Sequence, residues 1–180
     1  MKIVKLIKHD DQYANEIHRL SQASEVKNAL GLPKQTVDDT KKFNQRMLDE
    51  EQEGKTVSRL ILNEQGRLIG ITTLLFIDKE KNSCHIGSWI GYEYWGKGYN
   101  LLSKIEILKI AFEELTLDRV FAGARIVNIR SQKAQEKLPF IRLNVEKDFP
   151  QEHHFLVTKE KQPCVLHAFH KNDFIQYMQG

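Results

Sequence analysis

The chain has 180 residues and a mass of 21.0 kDa, which is the size of one ordinary domain and enough to bury a hydrophobic core. Apolar residues make up 41% and charged residues 28%, a composition that excludes a disordered chain, a collagen-like chain and a coiled-coil rod. The formal net charge is only +3, so an anionic ligand is permitted and a nucleic-acid partner is not indicated. We therefore expect a single domain over residues 1–180.

The sequence shows no membrane-spanning run, signal peptide or zinc motif. No apolar stretch approaches the roughly 18 residues of a membrane helix, and the start, MKIVKLIKHDD, lacks a long apolar segment before a small-residue cleavage site. The two cysteines, Cys84 and Cys164, form no CxxC pair. We predict a cytoplasmic protein with no membrane partner, no metal and two free thiols; a disulfide between the cysteines stays open from sequence alone.

In chain order, the first half predicts a strand, two helices and three further strands. Residues 2–7 alternate polar and apolar, as in a half-buried strand. A helix follows an N-cap at Asp10 or Asp11, and residues 36–53 read as a second, charged helix. Strands are then predicted at residues 57–62, 68–77 and 84–92, and the polar turns between them indicate a β-meander.

The second half alternates helices and strands. Residues 99–116 predict a long helix with one apolar stripe, and Pro139 ends a later helix that starts at Asn128. His153 and His154 fall in a polar stretch that we predict to be a loop. Strands are predicted at residues 119–124, 143–147 and 163–170, and a short terminal helix at 173–178. The alternation predicts an α/β fold with a mixed central sheet.

The most informative segment is IGYEYWGKGYN, residues 90–100, in which a strand runs through a glycine-bearing loop into a helix. Gly96 and Gly98 allow backbone N–H groups to converge on an anion, the helix N-terminus adds partial positive charge, and Lys97 adds a full one. The segment matches neither the Walker A pattern, because Tyr99 follows Gly98, nor the Rossmann pattern, because Leu101 stands at the position of the third glycine. From this loop alone, the alternative interpretation is a tight strand-to-helix connection that binds no ligand.

Two ordered stretches resemble the GNAT superfamily of N-acetyltransferases. GSWIGYEYWGKGYN is similar to its motif A, Gln/Arg-x-x-Gly-x-Gly/Ala, with Trp95 in place of Gln/Arg and Asn100 in place of Gly/Ala. This version is most similar to the RimJ/RimL-like branch. Further on, NIRS at 128–131 followed by EKLPF at 136–140 is similar to that branch's Asn-x-x-Ser…Glu-Lys-Leu-Gly-Phe, with Pro139 in place of the usual glycine.

The resemblance implies a GNAT fold: a mixed central β-sheet flanked by helices, with an acetyl-CoA cleft between the fourth and fifth strands. It implies acetyl-CoA as acyl donor and a primary amine, either a protein N-terminus or a small molecule, that attacks directly in a ternary complex of a monomer or homodimer. For Asn128, a plain helix N-cap is the alternative role. The residues implied to bind the donor are Trp89, Ile90, Tyr92, Trp95, Gly96, Lys97, Gly98, Tyr99, Asn100 and Asn128.

The resemblance also names candidates for proton transfer. Many members of the superfamily use a tyrosine on the helix after Asn128, but the matching residue here is Gln135, which has no acidic proton. Ser131 is the usual substitute in this branch, although it could simply cap its own helical turn. His85 stands where relatives often place a glutamate, and an imidazole could relay the proton of the amine through water. A histidine at a strand start with no catalytic duty is the alternative.

Two points stay open from sequence. Because Gln135 replaces the tyrosine, a non-catalytic acyl-CoA-binding module of the same fold is the alternative function. Trp89 and Trp95 could line an acceptor pocket or belong to the core. Which amine is the acceptor cannot be read from the sequence, and we expect the first helices and nearby loops to select it.

Overall fold

The structure is a computed structural model that describes residues 1–180. Seven strands form one sheet in the order β1-β2-β3-β4-β5-β7-β6, flanked by helices. The strands are β1 (Val4–Ile7), β2 (Val57–Asn63), β3 (Leu68–Asp78), β4 (Ser83–Ile90), β5 (Arg119–Arg125), β6 (Ile141–Arg142) and β7 (Cys164–His170). The helices are α1 (Ala14–Gln22), α2 (Ser24–Leu30), α3 (Val37–Gln52), α4 (Tyr99–Lys109), α5 (Ile129–Glu136), α6 (Pro150–Glu160) and α7 (Lys171–Gln179).

The chain divides into two compact units. The first comprises residues 1–77 and 87–110, and so holds β1 to β3, the end of β4 and the helices α1 to α4. The second comprises residues 78–86 and 111–180, with the start of β4, the strands β5 to β7 and the helices α5 to α7. The predicted mixed sheet is confirmed, since β4 pairs with β5 in parallel and β5 pairs with β7 in antiparallel fashion.

In the first unit, β2 is buried on both faces. It pairs antiparallel with β1 and with β3. Because side chains alternate along a strand, Leu60 and Leu62 pack on one face against Ile17 and Leu20 of α1, and Ile61 packs on the other face in a cluster that includes Tyr99 of α4. A strand covered on both faces reads as a continuous apolar run, which explains why this segment lacks the polar alternation of β1.

In the second unit, β5 is the central strand. Its pairing with β4 runs over residues 83–86 and 119–122, and its pairing with β7 runs over the whole length of both strands. Leu156 of α6 packs on this sheet with Phe121, Cys164 and Leu166. Gly123 lies under Leu156, and a Cβ at Gly123 would come within 2.1 Å of a Leu156 methyl carbon. A glycine therefore lets α6 approach the strand closely.

Three predictions about the elements need correction. The strand predicted at residues 143–147 is wrong: the strand is Ile141–Arg142, and Asn144 has a φ of 56°, which a strand cannot contain. The loop predicted for His153 and His154 is also wrong, because both lie in α6, which begins with Pro150 in its first turn. The helix predicted over 99–116 ends as an α-helix at Lys109 and continues as a π-helical turn, Ile110–Glu114.

Some chemistry is settled by burial. Cys84 and Cys164 are both buried free thiols, and burial raises the pKa of the Cys84 thiol to about 12, so this thiol stays protonated and unreactive at neutral pH. The helices are too short or too polar to serve as membrane spans. No group of three or more His, Cys, Asp or Glu side chains is arranged to hold a metal ion.

Candidate active site

The loop between β4 and α4 has a backbone that only glycine adopts easily at two positions. A short 3₁₀ turn, Tyr92–Tyr94, leads to Gly96 with a φ of 72° and Gly98 with a φ of 87°, and α4 begins at the next residue. A Cβ built on either glycine meets nothing within 4 Å. These glycines are therefore required by the left-handed backbone conformation and not by lack of space.

The first turn of α4 is suited to an anion. No side chain caps its N-terminus and no acidic residue lies in its first turn, so its backbone N–H groups have no carboxylate partner there. The helix dipole adds partial positive charge at this end. The Nζ of Lys97 lies 5.9 Å from the centre of the Tyr94 ring, and the Tyr99 hydroxyl is directed away to Glu64, 2.8 Å from a carboxylate oxygen. The loop residues thus fit a phosphate or pyrophosphate group.

Trp95 ties the loop to its own strand. Its indole Nε1 donates a hydrogen bond of 2.7 Å to the backbone carbonyl of Ile90, and its ring packs edge-on against Tyr92 at 5.0 Å. The next N–H, that of Gly91, donates to Ile69 O of β3 at 2.7 Å. Trp89 packs against the α1 and β2 cluster, as its core alternative predicts. Both tryptophans therefore have structural contacts in the first unit.

In the first two turns of α4, the buried Lys104 lies close to the partly buried Asn100. The Lys104 Nζ lies 3.2 Å from Asn100 Oδ1, one helical turn earlier, and the lysine is only 6% exposed. No carboxylate pairs with this ammonium. Burial therefore lowers the pKa of Lys104 to about 8. Sequence reasoning missed Lys104, because a lysine at this position is normally taken for a surface residue.

Replacing Gly98 by alanine should cost about 1 kcal/mol of stability, because a non-glycine residue is strained at this positive φ. Gly66→Ala is the matched control, since Gly66 lies in a β-turn with a φ of 74° and equally open surroundings. We expect urea unfolding to show a similar loss of stability in both variants. Acetyl-CoA should raise the melting temperature of Gly66→Ala as in the wild type, and that of Gly98→Ala much less. Equal ligand-induced shifts in the two variants would contradict a donor site at this loop.

In the second unit, α5 and its N-cap bring together Asn128, Ser131 and Gln135. Asn128 is the N-cap, and its Oδ1 accepts the Ser131 backbone N–H at 3.1 Å. The Gln135 Nε2 donates to Gly123 O at 3.2 Å and to Ser131 Oγ at 3.4 Å. The predicted N-cap geometry of Asn128 is thus confirmed; its predicted contact with the donor stays a prediction, as does the role of Ser131.

His85 lies in a second cluster, with α6. Its Nε2 is 2.8 Å from Glu152 Oε2, and its ring packs against Phe121 and Phe155 at 5.4 and 5.3 Å. Burial lowers the pKa of His85, and the carboxylate of Glu152 partly opposes this effect. Because a carboxylate only accepts hydrogen bonds, Nε2 of the neutral ring carries the hydrogen that Glu152 accepts.

Glu152 is a partner that the sequence did not reveal. It lies 67 residues from His85, in the stretch predicted to be a loop. The Nζ of Lys81 lies 3.6 Å from its second carboxylate oxygen. The structure therefore places the predicted residues in three groups. These are the loop residues around Gly96 and Gly98, Asn128 with Ser131 at the start of α5, and His85 with its partner Glu152.

Comparison with known families and proteins identifies what the chain is similar to. Residues 3–141 match the acetyltransferase (GNAT) domain family, a range that contains both predicted motifs. YdaF of Bacillus subtilis (strain 168), which has the provisional name ribosomal N-acetyltransferase, is 34% identical over 76 residues, covering 42% of this chain and 42% of that protein. The matched part of this chain spans about half the length of the curated relatives.

Solved structures share the fold. Spermidine N-acetyltransferase from Vibrio cholerae, in complex with CoA and spermine, superposes with a TM-score of 0.73 at 12% identity, over 96% of this chain and 98% of that one. RimL, a ribosomal L7/L12 alpha-N-protein acetyltransferase, gives 0.69 at 19% identity, over 78% and 77%. At these identities the two structures show that this chain shares their fold. From the family match over most of its length, the chain belongs to the acetyltransferase (GNAT) domain family.

Proposed function

We propose that this protein is an N-acetyltransferase that transfers the acetyl group of acetyl-CoA to a primary amine, either a small molecule or a protein N-terminus. The observation that carries the proposal is the loop at the start of α4, where Gly96, Gly98 and uncapped backbone amides form a site for an anion. Coenzyme A carries a pyrophosphate and a 3′-phosphate, which are anions of the required kind. Membership of the GNAT family supports the same donor.

The loop residues supply the donor contacts. The backbone amides from Gly96 to Asn100 and the ammonium of Lys97 would hold the pyrophosphate, whereas the predicted Trp95 amide already donates to Tyr92 O at 3.1 Å. The backbone from Trp89 to Tyr92 would pair with the pantetheine arm as an added strand does. The carbonyl of Ile90 already accepts the Trp95 indole hydrogen, so this tryptophan holds the strand end in place for the donor. Asn128 stays a further proposed donor contact in addition to capping α5.

The transfer itself requires a neutral amine and a proton for the leaving thiolate. The amine nitrogen attacks the thioester carbonyl carbon, the new C–N bond replaces the C–S bond, and the sulfur leaves with the bonding electron pair. We assign to His85 the removal of the amine proton through water. Ser131 would donate its hydroxyl proton to the departing sulfur, and a backbone N–H near Ile90 would stabilise the oxyanion.

Partners and location belong to the same proposal. We propose that the protein acts in the cytoplasm, as a monomer or homodimer, without nucleic acid. Two buried free thiols are typical of a reducing compartment. The net charge of +3 gives no broad basic surface of the kind that nucleic-acid binding requires.

The decisive experiment measures donor binding and acetyl transfer separately. Acetyl-CoA should raise the melting temperature, and CoA should be released when spermine, spermidine, single amino acids or short peptides with free N-termini are added. Lys97→Ala should weaken the donor-induced shift, whereas Lys34→Ala, a lysine outside the loop, should not. The absence of any shift with millimolar acetyl-CoA would overturn the proposal. A shift without CoA release from any amine would favour the non-catalytic binding module.

The role of His85 predicts a specific pH profile. Since burial lowers the pKa of His85, the neutral ring predominates at pH 7, and we expect kcat/KM to fall only as the pH drops below about 6.5. Glu152→Gln removes the carboxylate that raises this pKa, so the acidic limb should move to still lower pH. His85→Gln should lower kcat at least about 100-fold, as expected for loss of a general base.

The control for this profile is His154→Gln, because His154 is an exposed histidine on the same helix as Glu152. It should leave the pH dependence of kcat/KM unchanged. If His85→Gln retained the wild-type rate and acidic limb, His85 would be a structural histidine only.

A further inference from the structure

Gln135 stands where many GNAT members have the tyrosine that protonates the leaving thiolate, and its amide has a defined orientation. Nε2 donates to the backbone carbonyl of Gly123 at 3.2 Å and approaches Ser131 Oγ at 3.4 Å. A backbone carbonyl only accepts hydrogen bonds, so the amide nitrogen, and not the amide oxygen, must face Gly123. This contact settles which way round the amide lies.

All the polar contacts of the Gln135 side chain are made by its nitrogen. The amide oxygen, Oε1, is buried and accepts no hydrogen bond from the protein. A buried hydrogen-bond acceptor without a donor lowers the stability of the folded protein. The oxygen of Gln135 therefore does not stabilise the fold. The side chain contributes two hydrogen bonds, both donated by Nε2: one to the backbone of β5 and one to Ser131.

Ser131 is left as a hydrogen-bond donor without an acceptor. Its backbone N–H is taken by Asn128 Oδ1, and its Oγ accepts from Gln135. Helical serines commonly donate the hydroxyl hydrogen to a carbonyl three or four residues earlier. Ser131 makes no such bond: its hydroxyl donates to no protein atom, and the carbonyl of Asn128 accepts instead from the backbone and side-chain nitrogens of Gln132.

We propose that Gln135 is a positioning residue that holds Ser131 with its hydroxyl hydrogen free for the departing thiolate, in place of the acidic tyrosine. The amide hydrogen on Oγ also polarises the hydroxyl toward donation. The proton moves from Ser131 Oγ to the sulfur. The attacking amine releases one proton to solvent, and Oγ takes up a proton from solvent in turn. This inference rests on the proposed acetyltransferase function. It assigns a role to Gln135, which contacts the proposed acid Ser131 and not the substrate.

The test compares Gln135→Met, Ser131→Ala and the double variant, with Lys133→Met as an exposed control on the same helix. We expect Gln135→Met to lower kcat about tenfold and Ser131→Ala more strongly, with the KM for acetyl-CoA unchanged in both. The double variant should match Ser131→Ala, because Gln135 acts through Ser131. The loss in Gln135→Met should also shrink with acetyl thioesters of more acidic thiols, which leave without help from a proton donor. Independent, multiplying losses, or a loss that is the same for all thiols, would overturn the proposal.

A measurement on the protein without donor separates this inference from the proposed function. The side-chain amide protons of Gln135 should give a resolved NMR signal that shifts in Ser131→Ala and not in Lys133→Met. No shift in Ser131→Ala would overturn the contact, whereas absence of CoA release by the wild type would overturn the proposed function alone. If Gln135→Met does not fold, Gln135→Glu replaces it: a carboxylate would accept from the Ser131 hydroxyl, so the same loss of kcat is expected, and full activity would contradict the proposal.

Discussion

Replacing Gly70 by alanine should lower the free energy of unfolding by about 3 kcal/mol or more, because the added methyl group has no room. A Cβ on Gly70 would lie 2.2 Å from the carbonyl oxygen of Trp89 and 3.0 Å from the Cα of Ile90. Both are backbone atoms of β4, so no side chain can rotate away to relieve the overlap. The strand itself would have to move, and β4 would separate from the backbone of β3.

The same substitution should remove donor binding. The displaced residues are those that lead into the loop at the start of α4, and Ile90 O is the atom that anchors the Trp95 indole. Gly91 N–H donates to Ile69 O, directly beside Gly70, so this hydrogen bond would be strained as well. At a temperature where Gly70→Ala is still folded, we expect the stabilisation by acetyl-CoA to fall severalfold.

Urea unfolding and acetyl-CoA thermal shifts measure these two effects, and Gly87→Ala is the control. Gly87 lies in β4 near the same residues, but a Cβ there meets only a Leu75 methyl carbon, at 3.7 Å, which is ordinary van der Waals contact. Gly87→Ala should therefore stay within about 0.5 kcal/mol of the wild type, as exposed substitutions usually do. A loss below 1 kcal/mol in Gly70→Ala would show that β3 and β4 can separate at little cost.

Nothing in the sequence distinguishes Gly70 from a glycine that merely interrupts a strand. The helices and strands followed from local signals: alternation in β1, glycine and polar turns between the central strands, and an apolar stripe along α4. The close approach of Gly70 to Trp89 is a contact between strands, and a strand pattern does not encode which residue on a neighbour lies opposite. The helix α6 was missed because its residues around His153 and His154 form a polar stretch, although Pro150 suits a first helical turn.

The candidate site divides in the same way. Gly96, Gly98, Asn128 and Ser131 belong to short local motifs, and the structure gives them the loop and N-cap geometries that such motifs predict. Partners that arrive from distant elements were invisible. Glu152 reaches His85 from a helix 67 residues away, and Gln135 makes its hydrogen bond to Gly123 from α5 to β5. A single sequence records which side chains exist, and the tertiary fold decides which of them meet.

Lys104→Met should stabilise the protein at pH 7 by about 2–3 kcal/mol, an unusual gain for a single substitution. The wild-type ammonium is 6% exposed, has one neutral hydrogen-bond partner, Asn100 Oδ1, and has no carboxylate partner. Methionine has a similar length and no charge, so it can fill the same space without the cost of desolvation.

The pH dependence distinguishes this cause from better packing. Burial lowers the pKa of Lys104 to about 8 in the folded protein, whereas an unfolded chain has a lysine pKa of about 10.4. Between these values the unfolded state binds more protons, so the stability of the wild type should rise with pH. Below pH 8 the ammonium is charged in both states, and the full cost of burying it is present. The advantage of Lys104→Met should therefore be constant below about pH 7 and shrink toward zero by pH 10.

Urea unfolding of both proteins at pH 6, 7, 8, 9 and 10 measures this difference, in which the titration of all other groups cancels. Lys109→Met serves as the control, because Lys109 lies on the same helix, is partly exposed and pairs with Glu106 at 3.3 Å. Its effect should stay within about 0.5 kcal/mol and should not vary between pH 7 and 10 in this way. If Lys104→Met is less stable than the wild type at pH 7, the ammonium has a compensating partner; if its advantage is the same at pH 7 and pH 10, the gain comes from packing and not from charge.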